Sequence, residues 1–350
     1  MNLVILPLHD WKKCEREGFR TRDAHLMLEF EKLPEIEKIL IIDRPISLPE
    51  MLLKECWWKV KNGTVIYKGI NNCLSQVSEK TFVLDYFSFD ILKPLILKKR
   101  WWGYIFKQSH VIKAMKYAIA YLQFHNFILF LWNPLSEGII GKLGENLLVF
   151  DAIDNWLEHP ELNYAKKEIE QGYQKIKKEA DLIFTVSESL KSFFIDSKNE
   201  VYCISNGVNI DYFRTQKIEN IPEDMKNITK PIVGYAGKIQ DRIDVDLVEF
   251  VAENLPQINF AFIGQIINKK TIKSLLQYKN IHYLGDKHYS LLPRYLSFFD
   301  ICIIPHKVST LTVSMNPLKL YEYLAAVKPV VTTNIAGVNV FKDIIIIAKT

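Results

Sequence analysis

"DICIIPHKVSTLTVSMNPLKLYEYLAAVKPVVTT", residues 300–333, reads as strand, loop, helix and strand in succession. The runs at 300–305 and 328–333 are apolar without alternation. That pattern suits strands buried on both faces of a parallel sheet. Between them Asn316 is a good N-cap, and Pro317 fits the first helical position, where no N–H is needed. Packing alone does not account for Glu322, which lies among Leu320, Tyr321, Tyr323 and Leu324. The open N–H groups of a first turn and the positive end of the helix dipole make an anion site, to which Lys319 adds a full charge. Glu322 is one turn after Leu318 on the same helix face. A diphosphate at the helix tip would bring an attached ribose beside Glu322, whose carboxylate can accept from both ribose hydroxyls. The same spacing also admits a plain Lys319–Glu322 surface pair, worth a few tenths of a kcal/mol.

Working outward, similar apolar runs recur along the chain. Before the middle they fall at 3–8, 38–43, 63–69, 81–86, 127–132, 146–151, 181–186 and 201–205. A second series falls at 231–237, 258–264, 280–285, 300–305, 328–333 and 343–348. Helical patterns separate most of them, so the fold class is α/β with ligands at the carboxyl ends of strands. The polar stretch 209–231 interrupts the rhythm. Two doubly wound domains are expected, 1–210 and 231–350, joined by a linker at 211–230 and facing each other across a cleft.

The chain has 350 residues, 49% of them hydrophobic, and a formal charge of +5. This excludes a disordered chain and does not argue for nucleic acid. The five cysteines are odd in number and show no Cys-x-x-Cys pair, which reads as reduced thiols of a cytoplasmic protein. The run 3–8 reads as a first strand and not as a signal peptide, and no apolar stretch approaches the ~20 residues of a membrane span. From Ile91 to Ser136 there is no Asp or Glu, while Lys93, Lys98, Lys99, Arg100, Lys107, Lys113 and Lys116 interleave with Trp101, Trp102, Tyr104 and Phe106. The mixture fits an amphipathic surface on anionic headgroups at the inner face of a cell membrane. It equally describes a solvated basic face with its aromatics turned into the core.

Several stretches, in order, resemble the nucleotide-binding half of GT-B glycosyltransferases of the family 4 type. They are "ADLIFTVSESLKSFF" (180–194), "VYCISNGVNIDYF" (201–213), "PIVGYAGKIQDRIDVDLV" (231–248), "NIHYLGDKHYSLLPRYLSFFDICIIP" (280–305) and "NPLKLYEYLAAVKPVV" (316–331). The last is similar to the sugar-nucleotide helix of a subgroup that makes bacterial cell-surface polysaccharides of the teichuronic-acid type. The resemblance implies two Rossmann-like domains and transfer of a sugar, with retention, from a UDP-, GDP- or dTDP-linked donor to a lipid-linked or saccharide acceptor. It implies a donor site of Gly237, Lys238, Arg242, Ser314, Asn316, Pro317, Leu318, Lys319 and Glu322. Glu322 takes the ribose position, whereas the family's sugar-contacting carboxylate falls on Ser314. Lys238 stands for the family's arginine, and the second cation, Arg242, comes one position early. With two cations and a helix tip at the diphosphate, no metal and no cofactor is required, and no Asp-x-Asp is placed to hold a metal. Family members continue past this point with helices crossing back to the first domain, so the second domain as given is expected to lack them.

In the first half, "LVFDAIDNW" (148–156) puts Asp151 and Asp154 at the carboxyl end of a strand, where either could act as catalytic base. The loop "LPLHDWKKCEREGFRTRDAHL" (6–26) is a second candidate. Gly18 could let backbone approach a ligand, Arg20 and Arg22 could clamp an acidic acceptor by bidentate bonds, and His9 could serve as general base. Two further readings stay open: a non-catalytic sugar-nucleotide-binding GT-B protein, and a nucleotide-sugar epimerase of that fold.

Overall fold

The structure is a computed structural model that describes residues 1–53, 58–214 and 220–348. It divides into two compact units, Met1–Ile204 and Ser205–Thr350. Strands of the first unit are β1 (Asn2–Leu6), β2 (Lys38–Ile42), β3 (Ile46–Ser47), β4 (Thr64–Lys68), β5 (Asn72–Gln76), β6 (Thr81–Ser88), β7 (Phe127–Leu131), β8 (Leu147–Ala152), β9 (Leu182–Thr185) and β10 (Val201–Cys203). Their order is β10-β9-β8-β7-β1-β2-β6-β5-β4, with β3 paired to β6. From β10 to β6 the pairing is parallel; β6, β5 and β4 are antiparallel. The second unit holds β11 (Ile232–Ala236), β12 (Asn259–Ile263), β13 (Ile281–Tyr283), β14 (Ile301–Ile304), β15 (Val330–Thr333) and β16 (Ile346–Ala348). They form an all-parallel sheet ordered β13-β12-β11-β14-β15-β16.

Most of the expected runs become strands because both of their faces are covered, while the edge strands β4, β10 and β16 stay partly exposed. Along β1, Val4 and Leu6 enter one core cluster while Leu3 and Ile5 enter the other. Along β11, Ile232 and Ala236 face one cluster, Val233 and Tyr235 the opposite one. A two-layer helical cover of this kind removes the alternation that a half-exposed strand would show. β5, "NCLSQ", escaped the sequence reading. Its buried residues are Cys73, Leu74 and Ser75, and its apolar run is only Cys73–Leu74, between polar Asn72 and Ser75.

The segment 211–230 is not a free linker. Phe213, Met225 and Ile228 are buried in the core of the second unit, so that unit begins at Ser205. In each sheet the chain starts near the middle, builds to one side, then crosses to the other. The crossings fall between β1 and β7 and between β11 and β14. Adjacent loops diverge at such points and leave room for a ligand at the carboxyl ends of the strands.

Candidate active site

In the second unit the expected donor residues gather at the carboxyl ends of β11 and β14. The helix here runs Leu318–Ala325, one residue later than the sequence suggested. Pro317, at φ −77° and ψ 108°, is extended and is itself the N-cap. Asn316 therefore does not cap the helix. Its side-chain oxygen accepts from the Asn206 N–H at 3.2 Å, and its carbonyl accepts from the Asn206 amide at 2.6 Å. Asn316 thus ties the helix entry to the start of the unit. Ser314 is buried, and its hydroxyl donates to the Leu311 carbonyl at 2.9 Å.

Leu318 and Lys319 open the helix. Lys319 lies over the Tyr235 ring at 5.1 Å and makes no ion pair among the described residues. Burial pushes its pKa down to about 7, helped by the positive charges of Arg242 and Lys238 and opposed by Glu322. Arg242 touches the Met315 sulfur at 3.4 Å and likewise makes no ion pair among the described residues. His306, buried at the end of β14, sits 3.4 Å from the Tyr235 hydroxyl. Burial, then Lys319 and Arg242, hold its pKa well below the usual histidine value, so its imidazole is neutral at pH 7. Three cations thus converge on one helix start, which is the electrostatics of an anion site.

Two glycines shape the floor of this site. Gly237 has φ 153°, and a Cβ there would lie 2.7 Å from Lys319 Cε. Gly264, at φ 139° after β12, packs so closely on Gly237 that its Cβ would lie 2.1 Å from the Gly237 carbonyl oxygen. Both conformations are strained for any residue with a side chain. Tyr323, fully buried on the helix, accepts from the Ala236 N–H at 2.7 Å and so locks the turn to the helix. Glu322 is buried at 7% exposure and takes a hydrogen bond from the Tyr289 hydroxyl; burial first and Glu322 next raise the pKa of that phenol. Tyr289 stacks on Tyr212 at 5.5 Å. The Lys319–Glu322 surface pair is therefore ruled out by burial, since a carboxylate held inside by a tyrosine is a built feature. Gly264, His306, Tyr289 and Tyr323 were missed in the sequence. The one available signal was the glycine ending "INFAFIG" in the same place as the one ending "PIVGYAG".

In the first unit the candidates follow β1 and β8. Arg22 is buried and forks onto Asp151, Nε to Oδ2 at 2.8 Å and Nη2 to Oδ1 at 3.1 Å. The Trp132 indole donates to the same Oδ2 at 2.7 Å. Both oxygens of Asp151 are thus engaged by donors, which suits a positioning residue and not a proton acceptor. Arg20 pairs instead with Glu17 at 3.0 Å. Arg22 thus meets Asp151 and Arg20 meets Glu17, so each arginine has an acid of its own within the unit. Gly18 caps the Trp11–Glu17 helix with φ 81°, its N–H directed to the Cys14 and Glu15 carbonyls; its freedom serves the cap and not a ligand. Asp154 faces His159 at 3.5 Å, and its carbonyl accepts from Tyr173 at 3.2 Å.

His9 keeps its expected prominence. Its Nδ1 lies 3.1 Å from Asp23 Oδ1, and its backbone N–H donates to Asp23 Oδ2 at 2.8 Å. Asp23 is fully buried; burial works to raise its pKa, but the His9 charge and hydrogen bonds from His9 and Thr21 hold it at about 2. With Nδ1 donating to Asp23, Nε2 carries the lone pair, an arrangement able to take a proton. The loop is anchored by Lys12, which bridges the buried carboxylates of Asp43, at 2.7 Å, and Asp85. Burial raises the Asp43 pKa to about 7 even against this ammonium. Among the described residues no cluster of three or more His, Cys, Asp or Glu could hold a metal.

The sequence profile of the family described as Glycosyl transferases group 1 matches residues 230–347. A putative teichuronic acid biosynthesis glycosyltransferase, TuaH of Bacillus subtilis (strain 168), is 28% identical over 183 residues, half of this chain and 46% of that protein. The matched region thus spans under half the length of that relative. The trehalose-6-phosphate structure from E. coli bound with UDP-2-fluoro glucose superposes with a TM-score of 0.65 at 14% identity, covering 99% of this chain and 88% of the other. HepE from Anabaena in complex with UDP-glucose gives 0.60 at 15% identity, covering 97% and 82%. Sucrose-phosphate synthase from Thermosynechococcus elongatus gives 0.65 at 15% identity, covering 97% and 83%. The fold is therefore GT-B, with two Rossmann-like units, and residues 230–347 match the family described as Glycosyl transferases group 1.

Proposed function

We propose that the second unit binds a nucleotide-diphosphate sugar and that the protein transfers the sugar, with retention, to an acceptor hydroxyl in cell-surface polysaccharide or glycolipid assembly. The observation that carries the reading is the cation group Lys238, Arg242 and Lys319 at the start of the Leu318–Ala325 helix, with buried Glu322 one turn on. The neighbouring structures bound with UDP-glucose and UDP-2-fluoro glucose make UDP the first donor nucleotide to try, and teichuronic acid assembly is suggested by the TuaH likeness. In the transfer the anomeric carbon–oxygen bond breaks with its electron pair leaving on the diphosphate. The acceptor oxygen bonds to that carbon and loses its proton. The three cations and the helix tip stabilise the departing charge more in the transition state than in the ground state, without a metal. Glu322 is assigned to the ribose hydroxyls.

Incubation with candidate UDP-, GDP- and dTDP-sugars separates the readings. Transfer to an added acceptor supports this one, an epimerised donor supports the epimerase, and binding without turnover supports a sugar-nucleotide binder. The anomeric configuration of the product, read by NMR, tests retention.

Glu322→Gln keeps an acceptor for Tyr289, so the melting temperature is expected to hold. Loss of the carboxylate charge is expected to weaken nucleotide binding by about 1.5 kcal/mol, roughly tenfold. Unchanged affinity by titration calorimetry would return Glu322 to a purely structural bond with Tyr289.

His9 is assigned the acceptor's proton in preference to Asp151, because Asp23 holds His9 while the Asp151 oxygens are occupied. His9→Gln is expected to lower turnover by about a hundredfold with nucleotide affinity unaltered. Equal turnover would hand the proton to the leaving phosphate itself.

A further inference from the structure

We infer that the short helix Leu92–Leu97 of the first unit inserts into anionic membrane surfaces. No residue of this helix is buried, although four of its six residues, "LKPLIL", are aliphatic. Leu92 and Ile96 are each 68% exposed and Leu95 is 51% exposed. Their spacing places all three on one face. Phe89 and Ile91, just before the helix, are exposed too. A helix this short has little stability of its own in water, and an apolar helix is ordinarily covered. A contiguous exposed patch of this kind marks a docking surface.

The charge around the patch selects the occupant. Lys93, Lys98, Lys99 and Arg100 lie within or directly after the helix, against Asp90 just before it and Glu168, which pairs with Arg100 at 3.7 Å; along the chain no further Asp or Glu follows until Glu137. Lys98 at φ 51° and ψ −129° turns the chain sharply at the helix end, which concentrates cations there. Their ring contacts are local: Lys93 over Tyr104 at 4.3 Å, Lys98 over Tyr164 at 5.3 Å and Lys99 over Trp102 at 6.0 Å. A protein partner would favour aromatic residues and Arg and disfavour Lys. Leu and Ile ringed by Lys match a bilayer: aliphatic side chains enter the acyl boundary while ammonium groups stay level with the lipid phosphates.

The docking face is smaller than the 91–116 segment suggested by the sequence. Trp101 is 2% exposed, so it belongs to the core, and Val111, Met115, Ala118 and Ile119 of the Ser109–Tyr121 helix point inward as well. No helix among the described residues is long and apolar enough to cross a membrane, so the contact is one of surface insertion. The inference does not depend on the proposed transfer reaction.

Sedimentation of the whole chain with vesicles tests it. Binding is expected to phosphatidylglycerol-rich vesicles and not to pure phosphatidylcholine, reduced but not abolished by high salt. Leu95→Glu with Ile96→Glu is expected to cut partitioning by about a hundredfold at any salt. Lys98→Gln with Lys99→Gln is expected to cut it about tenfold at low salt and to flatten the salt dependence. All four positions lie outside the core, so melting curves should match the parent. Equal binding to both lipids, no binding at all, or unchanged binding by the apolar variant would overturn the inference. So would a self-associated parent that the apolar variant renders monomeric without any vesicle binding, which would assign the patch to a second copy of the chain.

Discussion

Affinity for a nucleoside diphosphate is expected to fall about tenfold for each pH unit above 7, reaching about a hundredfold near pH 9. The cause is Lys319, whose pKa is pushed to about 7 by burial first and then by Arg242 and Lys238. Below that pH the empty site already holds an ammonium, and binding requires no proton. Above it the amine is neutral, and a bound diphosphate draws a proton back, so binding and protonation are linked. The effect on stability has the opposite sign. The unfolded chain holds this proton to about pH 10.4. Between pH 7 and that value the unfolded state therefore binds more protons, and the folded state gains stability as pH rises. Below pH 7 the cost of the buried charge is fully present. Calorimetric titrations with UDP in two buffers of different ionisation enthalpy would count the proton taken up. Uridine, which lacks the diphosphate, should show no slope. Lys319→Met should flatten the UDP slope and weaken binding at pH 7 by about a hundredfold. A slope that survives in Lys319→Met would move the titrating group elsewhere and break the link between Lys319 and the diphosphate.

Arg22→Ala is expected to destabilise the first unit by about 3–5 kcal/mol, because it strands the buried Asp151 carboxylate without its counter-ion. The Trp132 indole alone cannot neutralise that charge. Arg22→Lys keeps the charge but loses the fork that meets both Asp151 oxygens, so it should fall between parent and Arg22→Ala. The melting temperature of the unit should drop on the order of 10 °C in Arg22→Ala, and the loss should shrink when Asp151→Asn is added, because the stranded charge is then gone. An acceptor clamp behaves differently: both single variants would raise the acceptor KM and leave the melting temperature alone. Arg20→Lys, which disturbs the part-exposed Glu17 pair, should cost no more than about 1 kcal/mol. Equal melting curves for Arg22→Ala and the parent would return Arg22 to the acceptor site.

Much of the fold was legible because a parallel sheet writes itself as unbroken apolar runs. All fourteen expected runs overlap a strand of the structure. β5 was hidden because its apolar run is only Cys73–Leu74, with the buried Ser75 polar, and the antiparallel turn at Gly69 to Asn72 carries no helix to announce it. The donor site was partly legible: glycine turn, cations, proline and glutamate stand close together in two short stretches. Hidden from view was the approach of Gly264 to Gly237, which brings together residues from separate strands.

The first-unit loop marks the limit more sharply. Its residue types were read correctly as unusual, but their partners lie far along the chain: Asp151 is 129 residues from Arg22, and Asp85 is 73 from Lys12. Short-range pattern reports which side chains are present and what each could do. It does not report which charge each will meet. By itself the sequence determined the strand–helix alternation, the glycine turns and the cation-rich start of the 318–325 helix, because these depend on local periodicity and backbone preference. Tertiary structure alone decided that Arg22 is held by Asp151, that Trp101 is core while Leu92 and Ile96 face outward, and that Lys319 loses its usual charge near neutral pH. Each of those outcomes follows from burial and long-range pairing, and desolvation of a charge has a sign that only its surroundings determine.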